Sequence, residues 1–255
     1  MGVEYDGTDF SGWQTQSGAR TVQYCLEAAL TQVADHPVQV VCAGRTDAGV
    51  HGLGQVVHFD TAAQRAERSW VLGANANLPA DITVRWALPV ADDFHARFGA
   101  IKRHYRYVIL NRRVRPALGR NRMSWIHAPL DEVRMQAACL HLMGEHDFSS
   151  YRAVACQAKS PLRTIHDLGV ARHGELVVID VVANAFLHHM VRNIAGVLIT
   201  IGRGERDSDW TREVLKHRDR TLGGVTAPPQ GLYFMAVEYP QRFPLPAHQL
   251  PSLPY

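Results

Sequence analysis

Residues 38–60, VQVVCAGRTDAGVHGLGQVVHFD, hold two apolar runs on either side of a polar bend bounded by glycines. Val38 to Ala43 has the length and composition of a short buried strand, and it stops at Gly44. Gly54 to Asp60 reads as a second strand, with Gln55, Val57 and Phe59 on one face and Val56 and His58 on the other. Asp47 therefore falls in the connection, between two glycines that accept backbone angles a side-chain-bearing residue resists. Arg45, two residues earlier, supplies a positive charge, and an opposite charge close by keeps a carboxylate ionised. Two readings fit these residues. One is a functional carboxylate on a loop held at strand ends. The other is a hairpin turn capped by the Asp47 and Thr46 side chains.

Outward from this bend, the chain repeats one order of elements. Gly2 to Asp6 is expected to start a strand, kept short because few residues stand ahead of it. Thr21 is placed to cap a helix whose Val22, Cys25, Leu26, Ala29, Leu30 and Val33 recur at helical spacing. After the 38–60 hairpin, Ser69 to Asn77 predicts a short helix stopped by Pro79, and Ile82, Val84, Trp86 and Leu88 alternate as a strand. This is the β-α-β-β-α-β order of a ferredoxin-like unit. It then recurs. Ile101, Arg103, Tyr105, Tyr107 and Ile109 alternate as a strand, Asp131 caps a helix to Met143, and Gly144 stops it. Residues 163–172 and 175–182 predict a hairpin, and Phe186 to Ile201 a helix with a Leu187, Val191, Ile194, Leu198, Ile201 stripe. A helix capped by Ser208 and a strand from Leu232 to Tyr239 close the pattern. The expectation is an α+β chain with a ferredoxin-like half at 1–99, a second at 100–240 and a proline-rich surface tail at 241–255.

A hydrophobic fraction of 46% over 255 residues leaves ample material for a core in one domain or two. No apolar run is long enough to span a bilayer, and Met1 to Phe10 lacks the three-part pattern of a secretion signal. Cys25, Cys42, Cys139 and Cys156 are far apart with no CxxC pair, which argues against a zinc ribbon or disulfide scaffold and fits a reducing cytoplasm. The net charge of +3 conceals an uneven distribution. From Phe94 to Leu130 there are nine bases and no acid, which leaves 18 bases against all 24 acids elsewhere. A basic stripe on an acidic body is the footprint of a polyanion partner. Its members are mostly arginines, Arg112, Arg113 and Arg115 among them, and arginine grips phosphate through two parallel bonds.

Other chemistries find no support. There is no GxxxxGK[ST] loop and no GxGxxG after a strand, so no nucleotide cofactor is expected. His188 and His189, placed on the expected 186–201 helix, would point about 100° apart, no HExxH spacing occurs, and no metal site is expected. There is no GxSxG serine motif. Asp92 and Asp93 are neighbours that point to opposite sides of a strand end, unlike the paired carboxylates of glycoside hydrolysis. Tyr105 shares a strand face with Arg103 and Tyr107, a pattern that fits base stacking and equally a core tyrosine with a bonded tip. Arg192, beside the apolar stripe of its helix, is either an exposed arginine or a half-buried charge that needs a partner.

Taken together, EYDGTDFSGWQ at 4–14, GRTDAGVH at 44–51, DDFHARF at 92–98, RHYRYVI at 103–109, ANAFLHHMVRNIAG at 183–196 and GLYF at 231–234 resemble, in order along nearly the whole chain, the TruA-type tRNA pseudouridine synthases. The resemblance implies two ferredoxin-like halves with joined antiparallel sheets, the pseudouridine synthase fold. It implies conversion of uridines 38 to 40 of the tRNA anticodon arm to pseudouridine, by a homodimer without metal or organic cofactor. Asp47 matches the catalytic aspartate and Tyr105 the tyrosine that packs on the target base. Arg45 matches an active-site arginine, Arg192 the arginine expected to pair with the catalytic carboxylate, and Leu232 a residue lining the base pocket. A non-catalytic protein with two RRM-like units would also explain the basic stripe and Tyr105, but gives no task to an ionised Asp47 beside RNA. A carboxylate-dependent hydrolase would need a second carboxylate that the motif lacks.

Overall fold

In the computed structural model, residues 1–246 are described, and the chain divides into two compact units. The first comprises Met1–Arg103 with the described residues from Tyr233 to Pro246, and the second His104–Leu232.

In the first unit, strand β1 (Gly2–Tyr5) lies between β3 (His51–His58) and β4 (Ile82–Trp86), antiparallel to both. Strand β2 (Val41–Cys42) pairs with the far end of β3, Val41 opposite His58. The last strand of the chain, β10 (Leu232–Glu238), runs parallel to the near end of β3, Tyr233 opposite His51 and Phe234 opposite Gly52. Helices α1 (Val22–Ala34) and α2 (Glu67–Asn77) make the crossovers. The Thr21 hydroxyl accepts the Tyr24 N–H at the start of α1. Leu26 and Leu30 of α1 join Trp70 and Ala74 of α2 against Val3, Val57 and Val84 of the sheet in one core. This is the split β-α-β arrangement that the order of elements predicted.

The second unit repeats the neighbour relation. Strand β5 (Lys102–Asn111), which crosses the unit boundary at its start, lies beside β9 (Leu176–Ala183), and β9 pairs antiparallel with β8 (Leu162–His173). The β8–β9 hairpin turns through two residues, and Gly174 there has φ +61°, a left-handed value that favours glycine. Helix α3 (Glu132–Cys139) follows β5, with Asp131 accepting the Val133 and Arg134 N–H groups at its start. Helix α4 (Met190–Gly202) follows β9 and is buried almost all round, and α5 (Trp210–His217) follows it. The fold class is thus α+β, with mostly antiparallel strands, as expected.

Several boundaries differ from expectation. Only Val41–Cys42 of the 38–43 run pairs as strand, because the backbone N–H groups of Val38 and Val40 are taken by Thr31 Oγ1 and Glu27 Oε1 of α1. Strand β3 begins at His51 rather than Gly54. Its glycines are points of close approach, not a turn: a Cβ on Gly52 would lie 2.4 Å from the Tyr5 ring, and one on Gly54 2.2 Å from the Met235 carbonyl oxygen. Helix α4 begins at Met190 rather than Phe186, since His189 adopts φ +61° just before it, so His188 and His189 are not helical. The cap of α5 is Asp209, one residue after Ser208. Two short strands were not foreseen: β6 (Ser124–Ile126), parallel to β5, and β7 (Gly144–Asp147), antiparallel to β8. Of the expected tail, residues 247–255 lie outside the described residues, and Phe243 is buried against Phe94 with ring centroids 5.2 Å apart.

Candidate active site

Asp47 lies on the loop joining β2 to β3, half-buried, with Arg45 exposed two residues before it. The loop owes its shape to bonds along its whole length. At its start, the fully buried Gln55 side chain donates to the Gly44 carbonyl at 2.7 Å and accepts the Gly44 N–H at 3.4 Å. At its end, the Val50 N–H donates to the Asp47 carbonyl at 3.2 Å, and Gly49 has φ +76°. That angle is the one the third position of a type II turn requires. Asp47 therefore opens a turn that is closed through its backbone carbonyl.

The 6–13 loop laces the same stretch from the side. Trp13 N–H donates to the Thr46 carbonyl at 3.0 Å, and Gly49 N–H to the Phe10 carbonyl at 3.3 Å. Gly7 N–H donates to His51 Nδ1 at 3.0 Å. His51 is buried, stacks on Tyr233 with centroids 4.7 Å apart, and has Asp6 Oδ1 3.2 Å from the same nitrogen. The Tyr5 hydroxyl meets Thr46 Oγ1. Two loops far apart in sequence, EYDGTDFSGW and GRTDAGVH, are thus hydrogen-bonded to each other on either side of Asp47. Sequence reading quoted both but missed that Tyr5, Gly7, Trp13, Gln55 and His51 position the aspartate. The available signal was the glycines, each sitting where a backbone passes too close for a side chain.

The second unit carries the other expected residues. Tyr105 on β5 is buried, its ring edge-on to Phe186 at 4.9 Å. Tyr107, on the same face, is also buried; its hydroxyl lies 2.6 Å from Ser124 Oγ and donates to the Pro228 carbonyl at 2.8 Å. Burial pushes the Tyr107 phenol well up, while the bond to Ser124 and the Arg192 charge pull the other way. Arg192, on α4, is half-buried, and its Nε donates to the Ala227 carbonyl at 2.8 Å while its own carbonyl accepts the Ala227 N–H at 3.1 Å. This reciprocal pair binds the 225–227 segment to α4. It is possible because Gly196 has no Cβ, which would lie 1.8 Å from the Val225 carbonyl oxygen. Leu232 is buried at the start of β10. Arg113 and Arg115 are exposed and make no ion pair among the described residues, whereas Arg112 bonds to Glu175 at 3.0 Å.

The fold is α+β, and comparison with known proteins gives its class, the pseudouridine synthases. The chain belongs to the tRNA pseudouridine synthase family, whose model matches residues 1–99 and 138–240. It is similar to proteins named tRNA pseudouridine synthase A from Alcanivorax borkumensis (59% identical over 254 residues, 99% of this chain and 95% of that protein), from Nitrosococcus oceani (60% over 246 residues, 96% and 95%) and from Pseudomonas aeruginosa (57% over 251 residues, 98% and 88%). The chain is accordingly an isomerase that acts on uridine in tRNA. The family match includes Arg45, Asp47, Arg192 and Leu232 and leaves out residues 100–137, where Tyr105, Arg112, Arg113 and Arg115 stand. No helix among the described residues is long and apolar enough to cross a membrane.

Proposed function

We propose that the chain converts uridines 38, 39 and 40 of the tRNA anticodon stem-loop to pseudouridine, with the Asp47 carboxylate as nucleophile. The reaction breaks an N-glycosidic bond and makes a C-glycosidic one within the same nucleotide. It is redox-neutral, water takes no net part, and no cofactor is required. A carboxylate can serve as the covalent nucleophile, at the sugar carbon or at the uracil ring. The target uridine must leave its stack, at a cost of a few kcal/mol, and an aromatic partner such as Tyr105 returns about 1–3 kcal/mol. Arg45, Arg192 and Leu232 are substrate-binding residues in this reading. Arg112, Arg113 and Arg115 hold the RNA backbone, with the exposed Arg113 and Arg115 the more available because Glu175 engages Arg112. The enzyme works as a cytoplasmic homodimer.

The observation that supports this reading most is the Asp47 loop itself. Its backbone is fixed by Gln55, Trp13 and the Gly49 turn, which is the preorganisation a nucleophile needs. The test is tritium release from tRNA carrying 5-tritiated uridine, with the modified positions then mapped. Asp47→Asn is expected to abolish release while tRNA binding survives. Continued turnover by this variant removes Asp47 from the role, and modification elsewhere in the tRNA removes the positional assignment.

A further inference from the structure

The HARF segment, residues 95–98, has no task in the reading above, yet it is one of the most firmly held turns of the first unit. Ala96 N–H donates to His58 Nδ1 at 3.1 Å. The N–H groups of Arg97 and Phe98 both donate to His95 Nδ1, each at 3.1 Å, and Gly99 N–H donates to the His95 carbonyl at 2.8 Å. The Tyr239 hydroxyl donates to the Ala96 carbonyl at 2.6 Å. From the other side the Arg103 guanidinium donates to the carbonyls of Ala100, Arg97 and Ala43. The turn is thereby tied to Ala43, two residues before Arg45, where the Asp47 loop leaves β2.

Three rings form a file on this turn. His58 and His95 have centroids 4.7 Å apart, and His95 and Phe98 4.5 Å apart with planes 35° from parallel. Phe98 ends the file with 77% of its surface in solvent. Nδ1 of each histidine accepts a backbone N–H. Positive charge stands beside it. The Arg97 guanidinium lies 5.5 Å from the Phe98 ring centre, and Arg97 is exposed without an ion pair among the described residues. A lone exposed apolar residue needs no explanation. An exposed ring that ends a file of rings on a hydrogen-bonded turn, with an arginine beside it, is what single-stranded nucleic acid sites present: a face for a base and a charge for its phosphate.

We propose that Phe98 is a stacking platform for an unpaired tRNA base other than the target uridine, with Arg97 holding the adjoining phosphate. The proposal rests on tRNA as the substrate and not on the role of Asp47. The test uses the full chain carrying Asp47→Asn, with unmodified tRNA, a stem-loop containing unpaired bases, and a blunt duplex of equal length. Phe98→Ala is expected to weaken binding of tRNA and stem-loop about 5- to 100-fold, to leave duplex binding unchanged, and to keep the same melting temperature and oligomeric state. Phe98→Trp is expected to restore binding, and Arg97→Gln to reduce the salt dependence of tRNA binding. In the otherwise unaltered enzyme, Phe98→Ala should raise KM and leave the rate at saturating tRNA unchanged. Unchanged affinity for the stem-loop, or an equal loss on the duplex, overturns the proposal. A change in oligomeric state accompanying the loss also overturns it, because the ring then packs against a second copy of the chain. Failure of the Asp47 reading is seen separately, as turnover by Asp47→Asn.

Discussion

The Tyr5 hydroxyl lies 2.9 Å from Thr46 Oγ1, both residues are buried, and the next residue is Asp47. Burial pushes the Tyr5 phenol well above its ordinary range, while its bonds to Thr46 and Gln55 act against that shift, so it stays protonated at any working pH. Tyr5→Phe keeps the ring and strands the Thr46 hydroxyl. A buried hydroxyl left without its partner costs about 1–3 kcal/mol, to be read as a lower urea midpoint at unchanged slope. Because the loop loses a tie beside Asp47, the single-turnover rate should fall while tRNA affinity holds. A variant with full stability and full rate would show that the bond positions nothing.

Gly7 offers a sharper test of the same support. A Cβ there would stand 2.0 Å from the Val50 carbonyl oxygen, a backbone atom that cannot rotate away. Gly7→Ala must therefore displace either the 6–13 loop or the Asp47 turn, and should lower both melting temperature and turnover. Gly169→Ala is the control. Its Cβ would meet nothing closer than the Gln136 side chain at 3.7 Å. Without strain, Gly→Ala stabilises by about 0.4–1 kcal/mol through the unfolded chain, so Gly169→Ala should leave the melting temperature equal or higher.

What could be seen in the sequence was what depends on near neighbours. The α1 stripe with its Thr21 cap and the alternation in β4 and β5 are local signals, and they placed those elements and hence the repeated order. The extent of β2 was not legible, because Thr31 and Glu27 of α1 capture the Val38 and Val40 N–H groups and no periodicity encodes that. The start of α4 was missed because the apolar stripe continues through Leu187, which is buried although it precedes the helix. Nothing in Leu232–Glu238 tells that it lies parallel to His51 and Gly52, a pairing made across most of the chain. At the site, the glycine-bounded bend marked Asp47, but its supports come from the 6–13 loop and from Gln55. Those relations exist only once β1 and β3 are paired.

Burial also sorts the four free cysteines. Removal from water pushes the thiols of Cys42 and Cys139 up to about 12 each. A thiol shifted upward stays protonated and unreactive at pH 8, and these two are also shielded from reagent. Cys156 is half-exposed. Iodoacetamide on the native protein at pH 8 should modify Cys156 first and leave Cys42 and Cys139 intact, with all four modified in urea. Peptide mass spectrometry reads the order, and early labelling of Cys42 would mean that β2 opens without global unfolding.

Acid stability should depend on Asp180 of β9. His104 Nε2 lies 2.9 Å from its carboxylate, and Arg106 donates from Nε at 2.8 Å and from Nη2 at 3.0 Å. Burial alone would raise the Asp180 carboxyl, but the bonds from His104 and Arg106 outweigh it, and the group is held below the usual carboxylate range. A carboxyl depressed in the folded state contributes its full stability above its unfolded value of about 3.9 and loses it as pH falls through the lower, folded value. Asp180→Asn removes that contribution and leaves the Arg106 charge, 12% exposed, without its counter-ion. At pH 7 the variant should lose about 1.5–3 kcal/mol, toward the lower end because a third of the Asp180 side chain is in water. Below pH 4 the gap between the two proteins should narrow, since the native carboxyl is itself being protonated. Tyr105 sits between His104 and Arg106 on the alternate face of β5, so the clamp fixes the strand that presents it. Urea midpoints measured from pH 3 to pH 8 for both proteins give the comparison, and a gap that is constant across that range would show that Asp180 acts by packing and not by charge.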